Sequence, residues 1–365
     1  MDEATWAAAG LYDPAAPDAA DRRGLLEYLT SVGCTVDEMV ATADGLMRLA
    51  SRRVLFGTEP RLTVAQLAER CGCDIALVRR VRLAAGLPDP GDEPACSSLE
   101  IGLMQSFVVG VSVLGEEVTL QFTRVLGNAA TGIAEAALAT FAVNRSLPLL
   151  ALGGTSADIA KAGADATVAL LGVAPVLDAL LREHFDAASN GRFAGEERTP
   201  TVRVAVAFVD LVESTQLTQT LDGSELADAL GDFERVASEA VVRSGGRVVK
   251  RIGDAVMFVA SDAAAACDAA LAIVAAADAH PTLIAARAAI AFGDVLPRDG
   301  DYFGTAVNLA ARAVPLAAPG TVVVDDSVRD AVAVAGTRIP MVPLGEHDLK
   351  GFDDAVVLFR LGPTR

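Results

Sequence analysis

A change of pattern in the middle of the chain constrains the fold more than any other feature. Around ASNGRFAGEERTPT, residues 188–201, Gly, Pro and charged residues break the periodicity found on either side. Before that stretch, Ala and Leu recur at helical spacing, with Gly or Pro breaks at intervals that suit short helix connections. After it, strand-like and helical runs alternate. VRVAVAFVD (202–210) is apolar enough for a buried strand, and SELADALGDFERVASEAVVRSG (224–245) has a helical period. Residues 247–260 predict a hairpin. A helix follows over 262–280, a strand over 285–295, a helix over 306–317, and late strands in TVVVDDSV and AVVLFRL. This order predicts an all-α half followed by an α/β (α+β) half whose helices flank one mixed sheet. The expected division is 1–190 for the helical domain, 191–201 for a linker and 202–365 for the second domain.

Each part of a 365-residue chain is long enough to bury its own core. With 52% hydrophobic but only 5% aromatic residues, those cores must be built from Ala, Val and Leu. The net charge of −18 repels nucleic acid and anionic membrane at long range. Five cysteines, widely spaced and without a CxxC pair, argue against a disulfide framework or a zinc site and point to a reducing cytoplasm. The opening MDEATWAAAGLYDP carries acids where an export signal needs bases. Apolar runs at 101–115 and 166–181 end too early, or carry a charge or proline, and are expected to be buried helices with no membrane contact.

The segment KRIGDAVMFVA (250–260) places Asp254 at the tip of the expected hairpin, where Gly-Asp is also an ordinary turn dipeptide. Asp210 ends the apolar strand. If the hairpin lies beside that strand, the two carboxylates come close together, which is costly without cations. Two Mg²⁺ ions, which take oxygen ligands and phosphates, would make the arrangement favourable. Taken singly, each acid could equally be an exposed turn residue. In DYFGTAVNLAAR, Asn308 and Arg312 stand four apart and so share one helix face. Arg312 can present a planar fork to phosphate and Asn308 can orient a ribose or phosphate oxygen, although an exposed helix face also carries arginine routinely. Of the 30 basic residues only Lys161, Lys250 and Lys350 are lysines. Where arginine is the default cation, Lys250 in the hairpin suggests a need for a compact ammonium, with chance as the alternative.

From about residue 202 onward the chain resembles the catalytic domain of the class III adenylate cyclases. The resemblance rests on FVDLVEST, KRIGDAVMF, GDYFGTAVNLAAR and EHDLKGFDDAVVLFRL, in that order. It implies that Asp210 and Asp254 bind two Mg²⁺ or Mn²⁺ per active site, that Asn308 and Arg312 stabilise the transition state, and that Lys250 and Asp301 read the adenine. The reaction implied is ATP to 3′,5′-cyclic AMP and pyrophosphate. The family also implies a homodimer with shared sites, the metals held by one subunit and the Asn and Arg supplied by the other. Base choice has a physical form: an ammonium donates to adenine N1 and a carboxylate accepts from its N6 amino group, whereas guanine mismatches both.

Over 61–88, RLTVAQLAERCGCDIALVRRVRLAAGLP resembles a helix-turn-helix, with seven Arg against three acids between 52 and 82. This sustains an alternative reading, a DNA-binding regulator whose cyclase domain senses nucleotide. The acidic remainder, and the lack of aromatic or Asn/Gln base readers on the second helix, speak against nucleic acid. In layout the chain is similar to mycobacterial cyclases whose N-terminal half is autoinhibitory and confers pH sensing. Residues 174–189 predict a helix running into the linker. His184, beside Glu183 and Asp186, is either its pH-responsive group or an ordinary exposed histidine. The apolar runs at 101–114 and 147–152 raise the expectation of a fatty-acid or lipid ligand, which sequence does not separate from a filled core.

Overall fold

The structure is a computed structural model that describes residues 2–42, 45–193, 201–212, 223–283 and 285–362. Most of the expected linker and the end of FVDLVEST lie outside the described residues. The chain divides into two compact units, Met1–Glu196 and Glu197–Arg365.

The first unit is helical: α1 (Glu3–Ala8), α2 (Ala19–Ser31), α3 (Val36–Ala41), α4 (Leu46–Phe56), α5 (Val64–Cys71), α6 (Ile75–Ala84), α7 (Glu100–Leu114), α8 (Glu116–Phe141), α9 (Leu147–Ala151), α10 (Ser156–Leu171) and α11 (Val173–Phe193). Capping boxes on Thr35, Thr63 and Thr155 start α3, α5 and α10, satisfying backbone N–H groups that a helix end leaves open. A first core gathers Leu26, Leu29, Met39, Leu49 and Ala160. A second gathers Leu62, Leu67, Val78, Val81, Phe107 and Leu120. Between α5 and α6 the turn bends at Gly72, whose φ of 65° suits a residue without Cβ, and Asp74 caps α6. The helix-turn-helix geometry is therefore present.

The apolar runs are helical, as expected, but they are not buried, and this corrects the sequence reading. On α7 only Met104 and Phe107 are buried, while Val113 is 75% exposed; Phe122 on α8 and Phe185 on α11 are 55% and 75% exposed. The runs also extend further than expected. A π-helical turn (Ala142–Ser146) just before Pro148 joins α8 to α9, so the helical run continues through the proline. Glu116–Ala151 and Ser156–Ser189 are thus long and apolar enough to cross a membrane, by length and composition.

The second unit is a sheet ordered β2-β3-β1-β4-β6-β8-β7, with β5 paired to β4. Its strands are β1 (Val202–Leu211), β2 (Arg247–Ile252), β3 (Ala255–Ala260), β4 (Ala286–Arg298), β5 (Asp301–Phe303), β6 (Val322–Asp325), β7 (Met341–His347) and β8 (Val356–Leu361). Its helices are α12 (Gly223–Arg243), α13 (Ala263–Asp278), α14 (Thr305–Ala313) and α15 (Asp326–Val334). Strand alternation sorts the core. Ala205, Ala207, Val209 and Leu211 face the cluster containing α12 and α13, and Val206 and Phe208 face the one containing α14. TVVVDDSV is strand only to Asp325, which then caps α15 by accepting from Val328 N at 2.9 Å. Burial pushes the Asp325 carboxyl up to about 6. The stability it contributes is present below the ordinary carboxylate range and lost as pH rises through about 6.

Candidate active site

Asp210 is the ninth residue of β1, on the face that packs against α14, and its register partners are Ala255 on β3 and Arg287 on β4. Asp254 precedes Ala255 in the hairpin turn, after Gly253 with φ 62°. The pairing of β1 with β3 thus brings Asp254 beside the end of β1, where Asp210 stands. Both carboxylates are half-buried. Arg287, which sequence reasoning missed, donates to Asp210 Oδ2 from Nε at 3.2 Å and from Nη2 at 3.0 Å. Its signal in the sequence was weak: a charged residue at the start of an otherwise apolar strand.

Lys250 and Asp301, 51 residues apart, form an ion pair. A bulge between Val248 and Lys250 re-aims the lysine, so that it lies opposite Met257, which in turn pairs with Phe208, two residues before Asp210. Asp301 is fixed further by accepting from its neighbour Tyr302 N at 2.8 Å. On the outer side of the hairpin, Arg251 reaches Glu234 of α12 at 2.7 Å.

Asn308 and Arg312 lie on the exposed face of α14, while Ala306, Leu309, Ala310 and Ala313 are buried beneath them. Close approach at Gly304 fixes how α14 starts: with φ 150°, a Cβ there would lie 3.0 Å from Asp294 O. Neither the Asn308 nor the Arg312 side chain forms a hydrogen bond or ion pair among the described residues, so neither reaches the four other predicted residues in this way. Arg312 rests instead 5.6 Å from the Phe352 ring centre, and a Cβ on Gly351 (φ 81°) would lie 2.8 Å from its Nη1. Gly351 and Phe352 were also missed, although both sit in the quoted EHDLKGFDD segment. His184 is exposed on α11.

Asp210 and Asp254 offer the hard oxygen donors that Mg²⁺ or Mn²⁺ takes, and Arg287 engages Oδ2 of Asp210, with Oδ1 unengaged among the described residues. Among the described residues no group of three His, Cys, Asp or Glu side chains forms a metal cluster. Two carboxylates with water and substrate phosphates completing the shell fit Mg²⁺, which keeps several waters.

Residues 7–186 match the family described as "Adenylate cyclase regulatory domain", and residues 196–361 match "Adenylate and Guanylate cyclase catalytic domain". A pH-sensitive adenylate cyclase, MT1302 of Mycobacterium tuberculosis, is 32% identical over 365 residues, covering 95% of this chain and 89% of its own. The chain belongs to the class III adenylate cyclase family. Another relative of this cyclase, "Uncharacterized protein Rv2212" from the same species, is 34% identical over 361 residues, covering 97% of this chain and 92% of its own. Among solved structures, the adenylyl cyclase CyaB from P. aeruginosa superposes with a TM-score of 0.41 at 23% identity, over 45% of this cyclase and 97% of that chain. The cyclase accordingly carries a regulatory domain ahead of its catalytic domain.

Proposed function

We propose that this cyclase turns ATP into 3′,5′-cyclic AMP and pyrophosphate as a cytoplasmic homodimer whose sites draw on both copies. The observation that carries the reading is the ion pair between Lys250 and Asp301, which joins the two expected base readers within two residues of Asp210 in register. In the free chain each satisfies the other's charge. Adenine offers the same chemistry, an acceptor at N1 for the ammonium and a donor at N6 for the carboxylate.

Asp210 and Asp254 would hold two Mg²⁺ or Mn²⁺, with Arg287 orienting Asp210. When bound, these cations acidify the 3′-hydroxyl and neutralise the triphosphate. Arg312 offsets charge that builds on the α-phosphate oxygens as the 3′-oxygen attacks, and Asn308 orients the ribose or phosphate. Among the described residues of one chain no side-chain bond joins these two residues to the carboxylates, which supports their delivery to a partner's site. A second copy would also cover part of the apolar surface that α7 to α11 leave exposed, the same surface a fatty-acid ligand would use.

The helical domain, 1–190, would act through 191–201 on the catalytic domain, 202–365. A relative named for pH sensitivity supports a pH response, and we assign His184 to it; an unchanged pH profile in His184→Ala removes that assignment. The DNA-binding alternative loses support because Arg79, Arg80 and Arg82 already have acidic partners. The decisive test mixes Asp254→Ala with Arg312→Ala. Each alone should be inactive with Mn²⁺ and ATP, and the mixture should regain activity through one intact composite site. No recovery would refute sharing, and turnover of GTP over ATP would refute the base assignment.

A further inference from the structure

Several arginines of the helical unit meet a carboxylate. Arg53 reaches Glu38 at 2.8 Å, Arg79 reaches Asp89 at 3.5 Å, Arg80 pairs with Glu116 and Glu117, and Arg82 pairs with Glu100. Among the arginines without such a partner, three stand close together. Arg48 and Arg52, one turn apart on α4, and Arg61, just before the second core begins at Leu62, have no carboxylate partner among the described residues. All three border one groove. Its first part, about 500 Å³, is edged by Arg48 and Arg52, and the adjoining part, about 380 Å³, by Arg52 and Arg61.

Arg61 is held in place. Its guanidinium carbon lies 3.8 Å from the Phe56 ring centre, a contact that uses the flat face of the group and leaves its N–H donors unspent. Burial lowers its basicity from the ordinary value, and the charge of Arg52 acts in the same direction. Two acids also line the groove, Glu38, which Arg53 already engages, and Glu59. Arg52 and Arg61 act on each other's charge across the groove, and neither forms an ion pair with a carboxylate among the described residues, so an anion placed between them would relieve that repulsion.

We propose that this groove binds a small phosphorylated anion that links the two cores of the helical unit. A carboxylate fills one guanidinium fork, whereas arginines on α4 and in the connection that follows it call for the several oxygens and multiple charge of a di- or triphosphate. The volume suits a small molecule rather than a polymer. Leu49 and Ala50 bind α4 into the first core, while Leu62 belongs to the second. An anion held by Arg52 and Arg61 together therefore fastens one core to the other, within the domain that regulates catalysis.

The probe is inorganic tripolyphosphate, titrated calorimetrically into the full chain with EDTA present. Arg312→Ala serves as background, to weaken phosphate binding at the catalytic domain. We expect saturable binding that Arg52→Gln and Arg61→Gln each weaken about tenfold, with the melting temperature of Arg52→Gln unchanged. Arg80→Gln, whose arginine is already paired, should leave it unaltered. No binding, or binding indifferent to Arg52 and Arg61, overturns the proposal. An equal loss in Arg80→Gln also overturns it, because the effect would then be one of net charge. Cyclase activity of Arg52→Gln without added anion should match the unaltered chain, which keeps this test independent of the catalytic assignment.

Discussion

α6 and α14 both present arginine from a short helix in a recognisable motif, yet the two sets meet opposite fates. On α6, Arg79, Arg80 and Arg82 are all taken up by carboxylates arriving from other segments: Asp89 and Asp92, Glu116 and Glu117, and Glu100. On α14, Arg312 meets no acid among the described residues and leans on Phe352 over Gly351. A motif supplies a guanidinium at a position, and what the rest of the fold brings to that position decides its use. Neutralised, it packs helices; left open on an aromatic face, it is ready for phosphate.

The largest effect should come from breaking the neutralised set at its buried member. Arg82 and Glu100 have side chains 6% and 13% exposed, and Arg82 also donates to Pro88 O at 3.0 Å. Arg82→Ala strands the Glu100 charge in the interior and should cost about 3 to 5 kcal/mol, read from urea unfolding of the full chain. An unchanged midpoint would mean that the pair contributes nothing. On the open set, Arg312→Ala should lower cyclic AMP formation about a hundredfold or more while leaving the unfolding midpoint in place. A stability loss without an activity loss would reverse the comparison.

Gly351→Ala sharpens it further. The added methyl would lie 2.8 Å from Arg312 Nη1, on a backbone with φ 81° that disfavours any side chain. The guanidinium must move, so kcat should fall about tenfold with KM little changed, because positioning acts on the transition state more than on substrate binding. A rise in KM alone would show that the loop binds substrate and does not hold the arginine.

Much of the catalytic domain was legible because its signals are local. Strand alternation, the Gly-Asp turn and the four-residue spacing of Asn308 and Arg312 are properties of short windows, and β1, the hairpin and α14 follow them closely. What escaped depends on contacts between distant segments. The bulge at Val248 that turns Lys250 toward Asp301, the Arg287 grip on Asp210 and the Gly351 seat for Arg312 each need two elements to be placed first. The helical domain was less legible for a related reason. Apolar composition predicted α7 to α11 as helices, but it carries no record of what covers them, so exposure of Val113, Phe122 and Phe185 could not be foreseen. Its arginine-rich 52–82 segment likewise read as a basic patch, since the acids that quench Arg79 and Arg80 lie outside that window.

The smallest effect, and the most discriminating, belongs to Arg80. Its side chain is 49% exposed and its partners Glu116 and Glu117 are 43% and 80% exposed, so water screens the interaction. Arg80→Gln should therefore shift stability by less than about 1 kcal/mol. Were α6 a DNA-reading helix, the same change would remove a phosphate or base contact and weaken retention on duplex DNA, with a shallower dependence on salt. With Arg80 taken up by Glu116 and Glu117, the chain should instead show no retention at physiological salt either before or after the substitution. Glu116→Gln with Glu117→Gln completes the comparison: it leaves Arg80 open, as Arg312 is open. If an unpaired arginine on α6 were enough for function, that variant would gain salt-sensitive DNA binding. The expected result is none, because an open guanidinium becomes a site only where neighbouring groups converge on the same anion.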